Sequence, residues 1–167
     1  TGIAQKYIVV PNDSMKVRCF LRILEMALTN TACGILSESV NRCLVLCKSN
    51  DIINSLVGLL NTLAKKTSTG NILRPSAFCG NLSTDDREKL LCNFSTGKIN
   101  CLVSTDIITR GIDIPDIDMV VNYDVPKHVT TYIHRAGRTG RANKTGIVIT
   151  LCEKKEARHF RKDIIQA

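Results

Sequence analysis

The chain has 167 residues, of which 44% are hydrophobic, and its 23 Lys and Arg outnumber its 15 Asp and Glu to give a net charge of +8. This length predicts one domain with its own core and excludes a second full domain. No apolar run approaches the roughly 20 residues of a membrane span, and no signal-peptide pattern opens the chain, so we expect a soluble, intracellular protein without membrane contact. The positive balance favours an acidic partner such as nucleic acid, although a basic solvated surface also explains it.

Short β-branched runs alternate with helical patterns along the chain, which is typical of βαβ units around a mostly parallel sheet. The predicted strands are Lys6–Val10, Arg42–Cys47, Leu73–Phe78, Asn100–Ser104, Met119–Asn122 and Gly146–Leu151. Apolar residues at three-and-four spacing predict helices at Met15–Leu28, Asp51–Ala64, Thr84–Phe94, Val129–Ala136 and Lys154–Ile165. We predict helix caps at Ser14 and Ser83, and mobile surface loops at 30–41 and 65–72.

The cysteines and aromatic residues restrict the chemistry of the chain. None of the 8 cysteines forms a CxxC pair, which argues against a zinc site, and most lie in apolar runs where a reduced thiol behaves as a small hydrophobe. This pattern predicts a reducing intracellular compartment and no metal site in this chain. With only 3 Tyr, 4 Phe and no Trp, a platform for stacking bases is not expected, so any nucleic-acid contact should favour the sugar-phosphate backbone.

The octet His134–Arg141, HRAGRTGR, combines one histidine with three arginines. Arginine presents a planar fork of donors that stays charged, so arginines spaced by three residues can converge on one polyanion. Gly137 and Gly140 between them allow the backbone to turn and approach closely. The alternative is a helix that ends at Ala136, with a basic last turn that complements the helix dipole and Gly137 as its cap.

Ligands of open parallel sheets bind at the carboxyl ends of the strands, and polar segments follow several predicted strands here. Four blocks stand in order in the sequence: STDIITRGID, VVNYDVP, YIHRAGRTGR and KTGIVITL. Together they resemble the second RecA-like domain of DEAD-box RNA helicases, a superfamily 2 family, from Lys6 to about Arg161. The resemblance implies an α/β, three-layer RecA-like domain of the P-loop NTPase type, with a mostly parallel sheet of about six strands and helices on both faces. We expect residues 1–167 to form a single C-terminal helicase domain, the second RecA-like domain.

The resemblance also implies roles for individual residues. Arg138 and Arg141 match catalytic and nucleotide-binding positions, Arg138 on the γ-phosphate and Arg141 as arginine finger, while Gly111 and Asp113 match the segment that faces the nucleotide. The remaining matches are His134 and Arg135 for interdomain contact, and Ser49, Gly80, Arg87 and Thr105 for the RNA backbone. Local alternatives are a turn cap for Asp113, strand termination for Ser49 and Thr105, and a solvated helix position for Arg87.

The chain contains no GxxxxGK[ST] loop and no Asp-Glu-Ala-Asp sequence. The resemblance therefore implies that ATP and Mg²⁺ are held mainly by an N-terminal RecA-like domain of the same protein, absent from this chain, and that no cofactor is bound here. We expect the C-terminal half of an ATP-dependent RNA helicase that unwinds short duplexes or remodels RNPs, inactive by itself. The start without methionine and the end within a helical pattern suggest a piece of a longer protein.

The sequence also departs from the usual pattern of this family. Cys79-Gly80 and Thr84 stand where His-Gly and Gln are usual, and Thr109 replaces the usual Ala. The Leu-Ser-x-x-x-Arg arrangement at 82–87 and the tail 156–160 are most similar to the branch that assembles the large ribosomal subunit, which implies ribosome-assembly or other RNP factors as partners and the nucleus, nucleolus or cytoplasm as location. The alternatives are a superfamily 2 DNA helicase or translocase, and a non-enzymatic RecA-like binding module.

Overall fold

The computed structural model describes residues 2–28, 40–66, 73–109, 111–141 and 144–166. In chain order the elements are β1 (Ile3–Val10), α1 (Asp13–Leu28), β2 (Cys43–Leu46), α2 (Asn50–Lys66), β3 (Pro75–Phe78), α3 (Thr84–Ser95), β4 (Cys101–Ser104), β5 (Met119–Asn122), α4 (Val129–Ala136), β6 (Gly146–Glu153) and α5 (Lys154–His159). The alternation is the one predicted, and each of these strands and helices overlaps its predicted range. A short 3-10 helix at Asp106–Thr109 was not predicted. The predicted loops at 30–41 and 65–72 lie mostly outside the described residues.

The strands form one sheet in the order β1-β6-β5-β2-β4-β3, and every neighbouring pair is parallel. The predicted parallel sheet is therefore confirmed. All residues of β2, β4 and β5 are buried, as expected of parallel strands that helices cover on both faces. Because the strands share one direction, their carboxyl ends lie at one edge, where Ser49, Thr105 and Gly80 follow the adjacent strands β2, β4 and β3.

Two apolar clusters give the domain its three layers. On one face, α1 and α2 pack against alternate strand residues such as Val45 and Val103. On the other face, α3, α4 and the C-terminal helix pack against the intervening residues, such as Leu44 and Leu102. Successive strand side chains point to opposite faces, so each central strand contributes to both clusters. The layered α/β arrangement predicted from the sequence is confirmed.

Helix ends agree with the sequence prediction in one case and differ in two. Ser83 caps α3, since its hydroxyl accepts a hydrogen bond from the main-chain N of Asp86 at 3.1 Å. The predicted cap at Ser14 is wrong: α1 begins at Asp13, and the side chain of Asn12 accepts from Met15 N at 3.0 Å. The last helix is not uniform, because α5 gives way to a π-helical segment at Phe160–Ile165.

Most cysteines that the structure describes are free thiols inside the core, among them Cys43, Cys47, Cys101 and Cys152. Burial, and next the charge of Asp124, raise the pKa of the Cys47 thiol well above its usual range, and burial raises the pKa of Cys152 to about 11. Cys47 and Cys152 therefore stay protonated, and the buried cysteines pack as small hydrophobes. Within the described ranges, no group of three or more His, Cys, Asp or Glu is arranged to hold a metal ion.

None of the helices in the described part of the chain is both long enough and apolar enough to cross a membrane.

Gly146 at the start of β6 allows the chain to pass close to the end of the octet. A Cβ added there would overlap the Thr139 hydroxyl and the main-chain N of Gly140, so we expect Gly146→Ala to lower the free energy of unfolding by about 1–3 kcal/mol. Gly58 in α2 has no atom within 4 Å of an added Cβ, and Gly58→Ala should raise stability by roughly 0.5–1 kcal/mol. Urea unfolding of the two variants measures both changes in the free energy of unfolding, and equal stabilities would contradict the predicted difference.

Candidate functional site

The octet spans the end of α4 and the turn that leads to β6. The helix ends at Ala136, and Gly140 has a positive φ of 71°, the left-handed conformation that glycine adopts without strain. Thr139 pairs with Ile117 just before β5, and its hydroxyl donates to the main-chain oxygen of Asp118 at 3.1 Å. The end of the octet therefore lies at the amino edge of the sheet, whereas the predicted RNA residues follow strands at the carboxyl edge.

Arg135, the first arginine of the octet, is buried, with 3% of its side chain exposed. Its guanidinium donates to both carboxylate oxygens of Asp106, with N–O distances of 2.6 and 2.9 Å. It also donates to the side-chain oxygen of Asn122 at 3.1 Å and to the main-chain oxygen of Asp124 at 2.8 Å. Arg135 thus joins α4 to the ends of β4 and β5, and its predicted interdomain contact, still a prediction, requires an exchange of these partners.

His134, the other residue predicted to face a second domain, is exposed on α4. Its main-chain oxygen accepts a hydrogen bond from Nε of Arg138 at 3.4 Å, one helical turn further along the chain. The imidazole therefore lies on the outer surface of the octet, where a contact to another domain needs no rearrangement of the core.

Arg138 connects the octet to the segment that was predicted to face a nucleotide. Its guanidinium donates to the main-chain oxygens of Thr109 at 2.8 Å and of Ile112 at 3.5 Å. Gly111 lies between these two residues; it has a positive φ of 63°, and no other atom lies within 4 Å of an added Cβ. Asp113 follows Ile112 directly and is exposed. The structure thus brings three predicted nucleotide-binding residues together.

Arg141 lies on the surface, where its Nε donates to the main-chain oxygen of Gly137 at 2.8 Å. Partial burial, followed by the positive charge of Arg141, lowers the pKa of Arg138 from its ordinary value. Two guanidinium groups therefore repel each other at this surface, and both keep donors that a bound anion can accept from. The arrangement suits a ligand that carries several negative charges, such as a polyphosphate.

The four predicted RNA residues lie at the carboxyl edge and are only partly engaged. The hydroxyls of Ser49 and Thr105 accept from main-chain N atoms two or three residues later, both at the long distance of 3.5 Å. Arg87 donates to the main-chain oxygen of Gly80 at 2.6 Å, and its half-exposed side chain also remains open to solvent. A Cβ at Gly80 would meet Ile107 Cδ1 at 3.1 Å, which shows how closely the ends of β3 and β4 pack.

Two charged residues at this edge had no assigned role in the sequence prediction. The Lys16 ammonium, on a side chain that is 3% exposed, lies 3.0 Å from Oδ1 of Asp124 and 4.7 Å from the centre of the Tyr123 ring. Burial, followed by the charge of Asp124, raises the pKa of Tyr123 to about 12. The signal in the sequence was the position of Lys16, four residues before Phe20 in the buried stripe of α1.

The sequence matches the helicase conserved C-terminal domain family over residues 18–143, and the chain therefore belongs to this family. Its relatives are DEAD-box RNA helicases, as the four sequence blocks predicted. It is 40% identical over 126 residues to "Probable ATP-dependent RNA helicase Dbp73D" of Drosophila melanogaster, covering 75% of this chain and 18% of that protein. It is 36% identical over 155 residues to "Probable ATP-dependent RNA helicase ddx51" of Dictyostelium discoideum, covering 91% of this chain and 26% of that protein.

Solved structures with the same fold include the C-terminal domain of the DEAD-box protein Dbp5, with a TM-score of 0.76 and 28% identity over 95% of this chain and 81% of that one. Dbp5 of S. cerevisiae bound to RNA and ADP BeF3 aligns with a TM-score of 0.74 and 28% identity over 95% of this chain and 37% of that one. The predicted RecA-like fold is confirmed. The chain spans about a fifth to a quarter of the two curated relatives, 18% and 26% of their lengths.

Arg135 and Arg141 should differ sharply in their effect on stability. Arg135→Met leaves Asp106 and the other acceptors without a donor, so we expect it to lower the free energy of unfolding by about 3 kcal/mol. Arg141→Met removes an exposed contact and should change stability by less than about 0.5 kcal/mol. Chemical denaturation of the two variants measures the difference, and a loss of similar size in both would refute the internal role of Arg135.

Proposed function

We propose that the chain acts as the C-terminal half of an ATP-dependent RNA helicase, in which a nucleotide lies between this domain and an N-terminal RecA-like domain of the same protein. The observation that carries the proposal is the placement of Arg138 and Arg141 beside the segment 109–113. In P-loop enzymes, arginines supplied across a cleft stabilise the charge of the phosphoryl group during transfer. The two curated relatives are named as probable ATP-dependent RNA helicases. The similar structure of Dbp5 contains RNA and ADP BeF3.

Within this proposal, each arginine has a separate task. Arg138 binds the γ-phosphate and Arg141 acts as arginine finger, while Gly111 and Asp113 face the nucleotide. Arg141 is exposed and Arg138 is half-buried, so both are accessible to a ligand that approaches from a second domain. Their charges oppose the negative charge of the phosphoryl oxygens, which is a preorganised electrostatic contribution to catalysis.

ATP is shared between the two domains in this proposal, and Mg²⁺ is assigned to the N-terminal domain. The donors of Arg138 and Arg141 fit an anionic phosphate chain. The sequence has neither a GxxxxGK[ST] loop nor an Asp-Glu-Ala-Asp motif, which is why Mg²⁺ is assigned to the other domain. His134 and Arg135 then contact the acidic motif of the other domain when the cleft closes, and the single domain by itself hydrolyses no ATP.

The RNA backbone is proposed to cross the carboxyl edge at Ser49, Gly80, Arg87 and Thr105. Ser49, Gly80 and Thr105 follow three adjacent strands, which together span roughly 10 Å because neighbouring strands lie about 4.8 Å apart. Arg87 lies on α3 and donates to the Gly80 carbonyl. Hydroxyls, a glycine main chain and a guanidinium can all donate to phosphate, and none of them reads a base. The proposed result of ATP-driven closure is the separation of a short RNA duplex or the remodelling of an RNP.

The biological setting is proposed from sequence features and from the state of the cysteines. The arrangement at 82–87 and the tail 156–160 support ribosome-assembly factors or other RNP proteins as partners. The buried free thiols support a reducing compartment, and the nucleus, nucleolus or cytoplasm fits this condition.

The arginine-finger assignment predicts a large catalytic defect from a single surface substitution. In the intact protein, Arg141→Ala should reduce RNA-stimulated ATP hydrolysis by roughly 10³-fold, because the transition-state charge loses its partner. Arg18→Ala, an exposed arginine on α1, is the matched control and should leave the rate unchanged. Steady-state phosphate release measures both, and an active Arg141→Ala enzyme would falsify the assignment.

Stimulation of ATP hydrolysis by RNA or by duplex DNA distinguishes an RNA helicase from a DNA helicase or translocase. We expect single-stranded or structured RNA to stimulate ATP hydrolysis by the intact protein, and duplex DNA of equal length to stimulate it much less. Affinity for RNA should fall steeply as salt rises, because the proposed contacts are to phosphates. Stronger stimulation by duplex DNA would favour the alternative, and an intact protein without ATPase activity would favour a binding module.

A further inference from the structure

We infer that Asp124 is a positioning residue for RNA: its carboxylate, whose charge Lys16 balances, holds the turn after β2 that carries Ser49. This inference rests on the proposed RNA contact of Ser49 and names a residue that acts through it. Asp124 does not itself reach the surface, since 6% of its side chain is exposed.

The two carboxylate oxygens of Asp124 have separate partners. Oδ1 lies 3.0 Å from the Lys16 ammonium on α1, and Oδ2 accepts a hydrogen bond from the main-chain N of Lys48 at 2.9 Å. Lys48 directly precedes Ser49, so the second bond fixes the backbone at the proposed RNA contact. An ionised acceptor makes a stronger hydrogen bond than a neutral one, and the buried site keeps water from competing for it.

The start of the turn is held to β4, because the main-chain N of Cys47 donates to the main-chain oxygen of Ser104 at 2.8 Å. The residues that follow Lys48 are held by longer bonds. The Ser49 hydroxyl accepts a hydrogen bond from Ile52 N at 3.5 Å, and the Ser49 main-chain oxygen accepts one from Ile53 N at 3.2 Å. Both bonds are longer than the Asp124 bond, and both tie Ser49 to α2 rather than to the sheet. At Lys48, the residue directly before Ser49, the Asp124 bond links the turn to the end of β5, and we infer that it positions Ser49 relative to the sheet edge.

Lys16 and Lys48 differ in what they contribute to this site. The Lys16 side chain is buried, and its ammonium compensates the carboxylate that would otherwise be costly to bury. The Lys48 side chain is 71% exposed, and its ammonium lies 3.9 Å from Asp124 Oδ1. It stands at a cavity of about 320 Å³ between α1 and α2, whose lining also includes the acidic residues Asp13 and Asp51. The main-chain N–H of Lys48, and not its exposed ammonium, is therefore the group through which Asp124 holds the turn.

Changes in the Asp124 side chain should not disturb the octet His134–Arg141. Arg135 bonds to the main-chain oxygen of Asp124, at 2.8 Å, and not to its carboxylate. Replacing the side chain therefore leaves the acceptor of Arg135 in place. We therefore expect changes at Asp124 to raise the RNA concentration needed for stimulation, with little change in kcat or in the KM for ATP.

The test compares two double variants of the intact protein in RNA-stimulated ATP hydrolysis. Lys16→Met with Asp124→Leu removes both charges and the acceptor for Lys48 N, whereas Lys16→Met with Asp124→Asn removes both charges and keeps a side-chain oxygen. We expect the leucine variant to need about 10-fold more RNA for half-maximal stimulation, and the asparagine variant to stay within about 3-fold of wild type. At saturating RNA, kcat and the KM for ATP should change by less than about twofold in both.

Loss of stability is controlled by Leu24→Ala on the same helix, a core substitution that should lower the unfolding midpoint without changing the RNA concentration for half-maximal stimulation. If the leucine variant does not fold, Asp124→Glu takes its place; it keeps the charge, displaces the acceptor and should give the same rise. Equal RNA requirements of the leucine and asparagine variants, or of Asp124→Glu and wild type, would overturn the inference. A wild-type enzyme that RNA does not stimulate would instead refute the proposed function.

Discussion

The buried guanidinium of Arg135 is the contact on which the rest of the site depends. It binds Asp106 after β4 and two oxygen atoms at the end of β5, while its own backbone belongs to α4. Three segments that are remote in sequence therefore meet at one charge, and removing any partner leaves a buried polar group without a bond. Arg138 and Arg141 follow just beyond the end of this helix, so the contact anchors the segment from which they project.

The connection from β4 to β5 carries much of the proposed chemistry. It begins at the carboxyl edge with Thr105, bonds to Arg138 through Thr109, and ends at the amino edge, where Ile117 pairs with Thr139. One segment thus touches both the proposed RNA side and the proposed nucleotide side of the domain. Asp124 gives a second link between the two sides, with its carboxylate toward β2 and its main-chain oxygen toward α4.

The sequence predicted the six strands and five α-helices of the described residues in their order, because β-branched runs and apolar spacing are local signals that survive in the fold. It did not predict the 3-10 helix at Asp106–Thr109. It was less accurate where a neighbour decides the outcome. At the start of α1, Asn12 provides the cap that was assigned to Ser14. At the end of the chain, a π-helical segment replaces the last turns of α5. The bond from Arg87 to the Gly80 carbonyl, seven positions earlier, was likewise not predicted.

By itself, the sequence determined the alternation of strands and helices, the cluster of arginines and the likeness to DEAD-box helicase domains. The tertiary structure decided which of these arginines is internal and which two face outward, and it paired Lys16 with Asp124 across 108 positions of the chain. The physical reason is that hydrogen-bond partners of buried charges depend on which strands are neighbours. The order β1-β6-β5-β2-β4-β3 places β5 between β6 and β2, and no local pattern in the sequence records that arrangement.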